Sequence, residues 1–295
     1  MSHKSGFVNI LGNPNVGKST MMNALVGEKL SIVTSKAQTT RHRIMGIVNG
    51  DDFQIVYSDT PGILKPSYRL QETMMDSVNI ALTDADLIIY VTDVTEKSAH
   101  QGEYIEKIGQ SGIPVVIVIN KVDLSNQEEL EKIVEIWHSA FPGSPVIPVS
   151  ALRNFNLDIL LNSILAKLPE GEAFFPKDQL TDKIDRFFAS EIIREKILKY
   201  YKKEIPYSVE IEIESFIEEE NINRIRAVIH VARDSQKGII IGHKGSMLKR
   251  VGTEARHDME DFFRKKVFLE VYVKVSKDWR DKPAMLKKFG YQQNN

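Results

Sequence analysis

Nine residues constrain this chain more than any other stretch. Gly12-Asn13-Pro14-Asn15-Val16-Gly17-Lys18-Ser19-Thr20 fits the pattern G-x-x-x-x-G-K-[ST] without a gap. The run Gly6–Leu11 before it is short and apolar enough for a buried parallel strand. After it, Met22, Leu25 and Val26 stand at helical spacing, with Gly27 as a stop. A strand, a glycine-rich turn and a helix N-terminus form the setting in which backbone N–H groups curl around phosphate oxygens. Gly12 and Gly17 permit the curl, Lys18 supplies a mobile positive charge for the outer phosphates, and Ser19 offers a hydroxyl to magnesium. A glycine-rich turn carrying a chance lysine would need neither flank.

The rest of the front half alternates strands and helices, as an open α/β sheet requires. Lys29–Arg43 is polar, threonine-rich and weakly periodic. Two strands then flank the turn Asn49–Asp52, and the second runs into Asp59-Thr60-Pro61-Gly62. An Asp-x-x-Gly is common, but this one ends a strand, where ligands collect in a doubly wound sheet. Asp59 is placed there to hold magnesium through water, and the Gly62 N–H to read a terminal phosphate. A helix over Leu70–Leu82 and a strand over Asp86–Asp93 follow. Another strand runs straight into Asn120-Lys121-Val122-Asp123. A carboxylate at Asp123 accepts two hydrogen bonds from the ring N–H and exocyclic amine of guanine. Adenine has no donors in that arrangement and would leave the carboxylate unpaired. Lys121 can lie over the base and brace the phosphate loop. A helix over Gln127–Ala140 and a strand over Ser144–Val149 lead to Ser150-Ala151-Leu152, whose Ala151 N–H is placed to donate to the guanine carbonyl oxygen. The helix Leu157–Leu168 closes the domain.

Charge separates the two halves. The net charge of the 295 residues is −1, yet residues 1–182 hold 15 Lys and Arg against 22 Asp and Glu, whereas residues 183–295 hold 24 against 18. An acidic front and a basic back suggest that the back meets a polyanion. The absence of cysteine excludes disulfides and cysteine–zinc sites. The start lacks an apolar signal segment, and no apolar run approaches the roughly 20 residues that span a bilayer. The expectation is a cytoplasmic protein, with peripheral contact at the inner face of the cell membrane left open.

Residues 169–182, with two prolines and a glycine, read as a linker. Beyond it Ile184, Phe187, Phe188, Ile192, Ile197, Leu198 and Tyr201 form one helical stripe. Ser208–Phe216 alternates apolar and acidic residues as a half-exposed strand whose glutamates face solvent, and Arg224–Arg233 is its partner. Gly242-His243-Lys244-Gly245 then lies between the apolar run Ile239–Ile241 and a helix, and a further strand follows. Helix, two strands, G-x-x-G, helix, strand is the layout of a KH domain of the bacterial (type II) topology, which grips a single-stranded backbone at this loop. The glycines allow close approach, Lys244 adds charge beside His243, Lys249 and Arg250, and Ile240 and Ile241 would wall the base groove. Trp279, in the basic tail 277–295, either stacks on a base or covers the edge of the sheet.

Taken in order, GNPNVGKS, a threonine in a polar loop, DTPG, NKVD and SAL resemble a translation-factor-type GTPase. KAQTTRHR after the phosphate loop, and a single front domain joined to a basic C-terminal one, are similar to the Era GTPases. The resemblance implies an α/β P-loop GTP-binding domain over 1–168 and a smaller α+β KH domain over 183–276. It implies that Thr40, in preference to Thr39, completes a magnesium shell with Ser19 and Asp59. The implied activity is slow hydrolysis of GTP to GDP. The implied partners are the single-stranded 3′ region of 16S ribosomal RNA and the maturing 30S subunit, with no obligate protein partner evident. Where Ras-like enzymes place a water-orienting glutamine after the Asp-x-x-Gly, this chain has Ile63. Asn15 resembles the asparagine with which potassium-dependent relatives hold a monovalent cation, so K+ joins GTP, GDP and Mg2+ as an expected cofactor. A P-loop kinase or ATPase is disfavoured by Asn120 and Asp123, and a lipid-binding signalling GTPase by the mixed charge of the helix Met247–Lys266.

Overall fold

The apolar run before the phosphate loop becomes the inner strand from which a six-stranded sheet is wound in both directions. The structure is a computed structural model and describes residues 3–96 and 101–291. It divides into two units. One comprises the chain up to Lys65 together with Met74–Asp182, the other Pro66–Thr73 together with the chain from Lys183 onward.

In the first unit the elements are β1 (Lys4–Leu11), α1 (Lys18–Val26), β2 (Ile44–Asn49), β3 (Phe53–Asp59), α2 (Arg69–Thr83), β4 (Leu87–Asp93), α3 (Glu103–Gln110), β5 (Val115–Asn120), α4 (Gln127–Ala140), β6 (Val146–Pro148) and α5 (Leu157–Lys167). The first residues of α2 belong to the second unit. The sheet order is β2-β3-β1-β4-β5-β6, with β2 antiparallel to β3 and every other pairing parallel. Every residue of β4 and β5 is buried, which is why both strands read as unbroken apolar runs. The parallel strands β3 and β4, which follow along the chain, lie on opposite sides of β1, so a crevice opens at its C-terminal end. The phosphate loop begins there. The residues between α1 and β2 form no regular element. Sequence periodicity did not reveal α3, which buries only Ile105 and Ile108.

Residues 169–182 are not a free connector. Glu170 bridges to Lys4 and Thr181 to Gly46, the Ile47 N–H donates to the Leu180 carbonyl at 2.8 Å, and the Thr181 hydroxyl donates to the Met45 carbonyl at 2.6 Å. Gln54, wholly buried, accepts from the N–H groups of Phe174 and Phe175 and donates to the Phe175 carbonyl. The Phe174 ring lies 4.8 Å from that of Phe7. Prolines and glycine suggest a loose segment, but two phenylalanines and the unpaired backbone of β2 bind it down.

The second unit contains α6 (Asp185–Tyr200), β7 (Val209–Glu218), β8 (Ile222–Val231), α7 (Asp234–Ile241), α8 (Ser246–Phe263), β9 (Lys266–Val275) and α9 (Pro283–Lys288). Its sheet runs β7-β8-β9, antiparallel and then parallel, with a bulge between Ile213 and Ser215. The parallel pair requires a crossover, supplied by α7 and α8. Ile193 and Ile197 of α6 and Val251, Ala255 and Met259 of α8 pack on the inward residues Ile211, Ile225, Ala227 and Ile229. Ile193 takes the fully buried place on the helical stripe, Ile192 packs against the same core only partly buried, and Ile184, just ahead of α6, is exposed.

The basic tail is folded at least to Tyr291; residues 292–295 lie outside the described residues. Trp279 has no exposed surface and its indole N–H donates to the Ser208 carbonyl at 3.0 Å, so the covering role holds and base stacking is excluded. Tyr291 donates to Glu210 at 2.5 Å and Lys288 to Glu212 at 2.7 Å. Glu210 is buried by this segment, where the strand pattern alone puts it in solvent.

Candidate functional site

A cavity of about 590 Å³ lies in the first unit, walled by the phosphate loop, the polar segment after α1, and the chain following β5 and β6. The phosphate loop admits only glycine at its two fixed points. Gly12 has φ 146° and a Cβ there would overlap the Val91 carbonyl. Gly17 has φ 98° and a Cβ there would overlap the Asn120 amide. Pro14, Asn15, Gly17, Lys18, Ser19 and Thr20 face the cavity, and Asn15 holds a left-handed backbone at φ 67°. The Val16 side chain is buried in the core, so it can serve a ligand only through its backbone. Lys18 is 6% exposed and donates to the carbonyls of Gly12 and Asn13 at 3.0 and 2.8 Å. Burial pulls its pKa down to about 8, against the opposing charges of Asp59 and Glu96.

Three oxygens converge beside it. Ser19 Oγ lies 2.8 Å from Thr40 Oγ1 and 2.7 Å from Asp59 Oδ2, and Thr40 Oγ1 lies 3.1 Å from the same carboxylate oxygen. Asp59 is fully buried, its other oxygen makes no hydrogen bond of normal geometry among the described residues, and burial raises its pKa despite the Ser19 hydrogen bond, the Lys18 charge and the nearby Ser31 hydroxyl. A buried carboxylate with an unsatisfied oxygen beside two hydroxyls is an oxygen-donor set suited to magnesium. Thr39 is elsewhere, bonded to the Lys36 carbonyl and to Thr34. Gly62 packs against Pro14 so closely that a Cβ would stand 2.8 Å from its backbone, and the Ile63 N–H donates to the Gly12 carbonyl at 3.1 Å. Thr60 and Pro61 are buried, and the Thr60 hydroxyl bonds the Ile10 carbonyl. These two shape the turn without facing the cavity.

At the far end Asn120, Lys121, Asp123, Ser150 and Leu152 line the wall. Asn120 donates to the Val16 carbonyl at 2.8 Å and accepts from the Ala151 N–H at 3.0 Å. That N–H is thus taken by Asn120, where the motif reading aims it at a base carbonyl. Ser150 donates to Asp123 at 2.5 Å and fixes one edge of its exposed carboxylate. Lys121 donates to the Asn15 carbonyl at 2.6 Å, joining the base reader to the phosphate loop.

Three supporting residues escaped the motif reading. Asp93 receives Lys121 at 2.5 Å and both the N–H and hydroxyl of Thr95. Burial pushes the Asp93 carboxyl up, but these hydrogen bonds outweigh it and hold the group below its ordinary value. Glu96 accepts from Asn13 at 2.9 Å and from Thr92 at 2.8 Å. Asn23 accepts from the N–H groups of Leu30 and Ser31 and pins the start of the polar segment. The only signal was position. Asp93 ends a strand, in register with Asn120.

In the second unit α7 ends at Gly242, with φ 72°, where a Cβ would meet the Met247 side chain at 2.7 Å. Lys244 (φ 48°) and Gly245 (φ 78°) turn the chain into α8. His243, Lys244, Lys249 and Arg250 are exposed, and no side chain caps the N-terminus of α8. Glycine, cations and a free helix N-terminus make an open anionic-backbone cradle. Ile241 is partly exposed and Ile239 more so, but Ile240 is fully buried in the core, so of the wall expected from Ile240 and Ile241 only Ile241 is open, with Ile239 beside it in place of Ile240. The run Ile239–Ile241 proves to be the last turn of α7, and helical phase turns its middle residue inward.

Residues 7–121 match the family described as 50S ribosome-binding GTPase, and residues 204–280 match the KH domain family. GTPase Era of Syntrophus aciditrophicus is 46% identical over 98% of this chain and 96% of its own length. That of Staphylococcus haemolyticus is 43% identical over 98% and 97%. Among solved structures, Era in complex with MgGDPNP and nucleotides 1506–1542 of 16S ribosomal RNA is similar at TM-score 0.95 and 38% identity, covering 99% of this chain and all of that one. A single-substitution variant of Aquifex aeolicus Era, bound to GDP·AlF4−, is similar at TM-score 0.94 and 38% identity, covering 98% and 100%.

Proposed function

The chain belongs to the Era GTPases, and from that premise we propose that its GTP-hydrolysing first unit governs a clamp for the single-stranded 3′ region of 16S ribosomal RNA, assisting maturation of the small subunit. The observation that supports the nucleotide half is that Asp123, held by Ser150, follows directly on Asn120 and Lys121, which bond the Val16 and Asn15 carbonyls of the phosphate loop. Guanine pairs with the Asp123 carboxylate, and adenine leaves it bare. Backbone N–H groups of the loop take the phosphates. Lys18 exchanges its carbonyl partners for phosphate oxygens, which keeps it charged. Magnesium bound by Ser19, Thr40 and the Asp59 side would neutralise charge on the outer phosphates. Gly62, held against Pro14 on the cavity wall, would offer its N–H to the terminal phosphate. Ile63 cannot orient water, which suits slow turnover. Asn15, on the cavity wall, is our candidate for a potassium ligand in this chain, and equal hydrolysis rates in sodium and potassium would remove it.

The RNA half rests on the exposed cations and the glycine geometry of the loop between α7 and α8. Cytoplasmic residence, with peripheral contact at the inner membrane face, belongs to the same proposal. Among the described residues no helix is long and apolar enough to cross a membrane. Crosslinking to cellular RNA with GTP or GDP loaded tests partner and coupling together. The expected result is enrichment of 16S 3′ sequences that depends on the nucleotide; recovery indifferent to both would refute the proposal. Competition between GTP and ATP tests base selection separately.

A further inference from the structure

The sheet of the second unit has two faces, and only one is fully used. The helices cover its inner face, and the C-terminal segment covers part of the outer one near Glu210 and His230. The rest of the outer face stays open, and it carries aromatic rings interleaved with cations. Phe268 and Tyr272 lie four residues apart on β9, about 13 Å along the strand, and are 45% and 50% exposed. Arg224 and Arg226, on the neighbouring β8, lie over these rings at 5.4 and 6.0 Å from their centroids. The register sets Arg224 beside Phe268 on one side and the exposed Ile217 on the other.

We propose that this open face is a second binding surface for single-stranded nucleic acid, a stacking platform separate from the glycine loop. Flat rings and guanidinium planes accept bases on their faces whatever the sequence. Charge complementarity selects the occupant. The outward positions Arg224, Arg226, Lys266 and Lys274 are cationic; of the outward carboxylates, Glu210 and Glu212 of β7 are bonded to Tyr291 and Lys288 of the C-terminal segment, and Glu270 of β9 is paired with Arg226. Glu270 and Glu219 pair with Arg226 and Arg224 at 3.2 and 2.8 Å, across exposed side chains. Such exposed pairs are weak and exchange readily for phosphate. A strand held at the glycine loop would gain a further foothold here, so the surface lengthens the single-stranded RNA reading above and rests on it.

The test uses the full-length protein and labelled random-sequence single-stranded RNA of about 6 and about 20 nucleotides, lengths bracketing a single module's site. Phe268→Ala with Tyr272→Ala should weaken the longer RNA about tenfold or more and leave the shorter unchanged. Arg224→Gln with Arg226→Gln should flatten the salt dependence of the longer RNA by about two units of logarithmic slope. It also serves should the alanine pair fold poorly. His243→Asp with Lys244→Asp should weaken both lengths. If the longer RNA binds both face variants as it binds the unsubstituted protein, the face is overturned as a nucleic-acid site, a protein-docking face being then the alternative, and the loop reading stands. If neither RNA binds the unsubstituted protein, both fall together.

Discussion

Two glycine-bounded turns carry the chemistry of this chain, and they are built in opposite ways. The phosphate loop closes on itself. Its glycines are required both by a positive φ and by backbone or buried amide atoms where a side chain would stand, and its lysine is 6% exposed. The loop between α7 and α8 stays open. Gly242 is crowded by Met247 alone, through its side chain and its backbone nitrogen, Gly245 has free space around it, and His243 and Lys244 stand in solvent. An enclosing turn fits a ligand of one size and fixed charge. An exposed turn touches one stretch of a polymer and leaves the rest to neighbouring surfaces.

The sharpest way to break the contrast is Gly17→Ala. Left-handed strain and overlap with Asn120 together cost about 3 kcal/mol or more, so guanine-nucleotide affinity should fall at least about a hundredfold in a fluorescent-GDP titration. Asp93→Asn removes the charged partner of Lys121, and affinity for GTP and GDP alike should fall about tenfold to a hundredfold, with ATP still excluded. Loss of guanine selectivity instead would mean that Lys121 reads the base and does not merely brace the loop.

A pH titration sharpens the comparison further. With Lys18 near pKa 8 in the free protein and held protonated by bound phosphate, nucleotide affinity should drop about tenfold between pH 7 and pH 9. The same lowered pKa means that the unfolded chain binds more protons between about pH 8 and pH 10.5. Stability of the nucleotide-free protein should therefore rise with pH across that window. The smallest effect belongs to Gly245→Ala. Positive φ costs an alanine about 1 kcal/mol but nothing is overlapped, so a small loss of thermal stability and a few-fold change in RNA affinity are expected. A loss as large as that at Gly17 would show that the second turn is as closed as the first.

What could be read from the chain was what is contiguous in it. The phosphate loop, Asp59-Thr60-Pro61-Gly62 and Asn120-Lys121-Val122-Asp123 each carry their chemistry within a few residues, and their order along alternating strands fixes where they meet. What was hidden depends on partners far along the chain. Asp93 acts through Lys121, Glu96 through Asn13, and Trp279 through Ser208. None of these partners shows in a local window. Ile240 illustrates a second limit: three consecutive isoleucines have no visible phase until the helix containing them is known. The alternation on β7 shows a third, since it separates two faces without saying that the outer one is covered at Glu210.

The strap formed by residues 169–182 bears on where this chain can be cut. β2 is an edge strand, and the Ile47 N–H and the Gln54 amide find their partners in that strap. A fragment stopped at Leu168, where composition alone would end the domain, bares a pairing-competent rim and two phenylalanine sockets, the raw material of self-association. One stopped at Asp182 keeps its own selvedge.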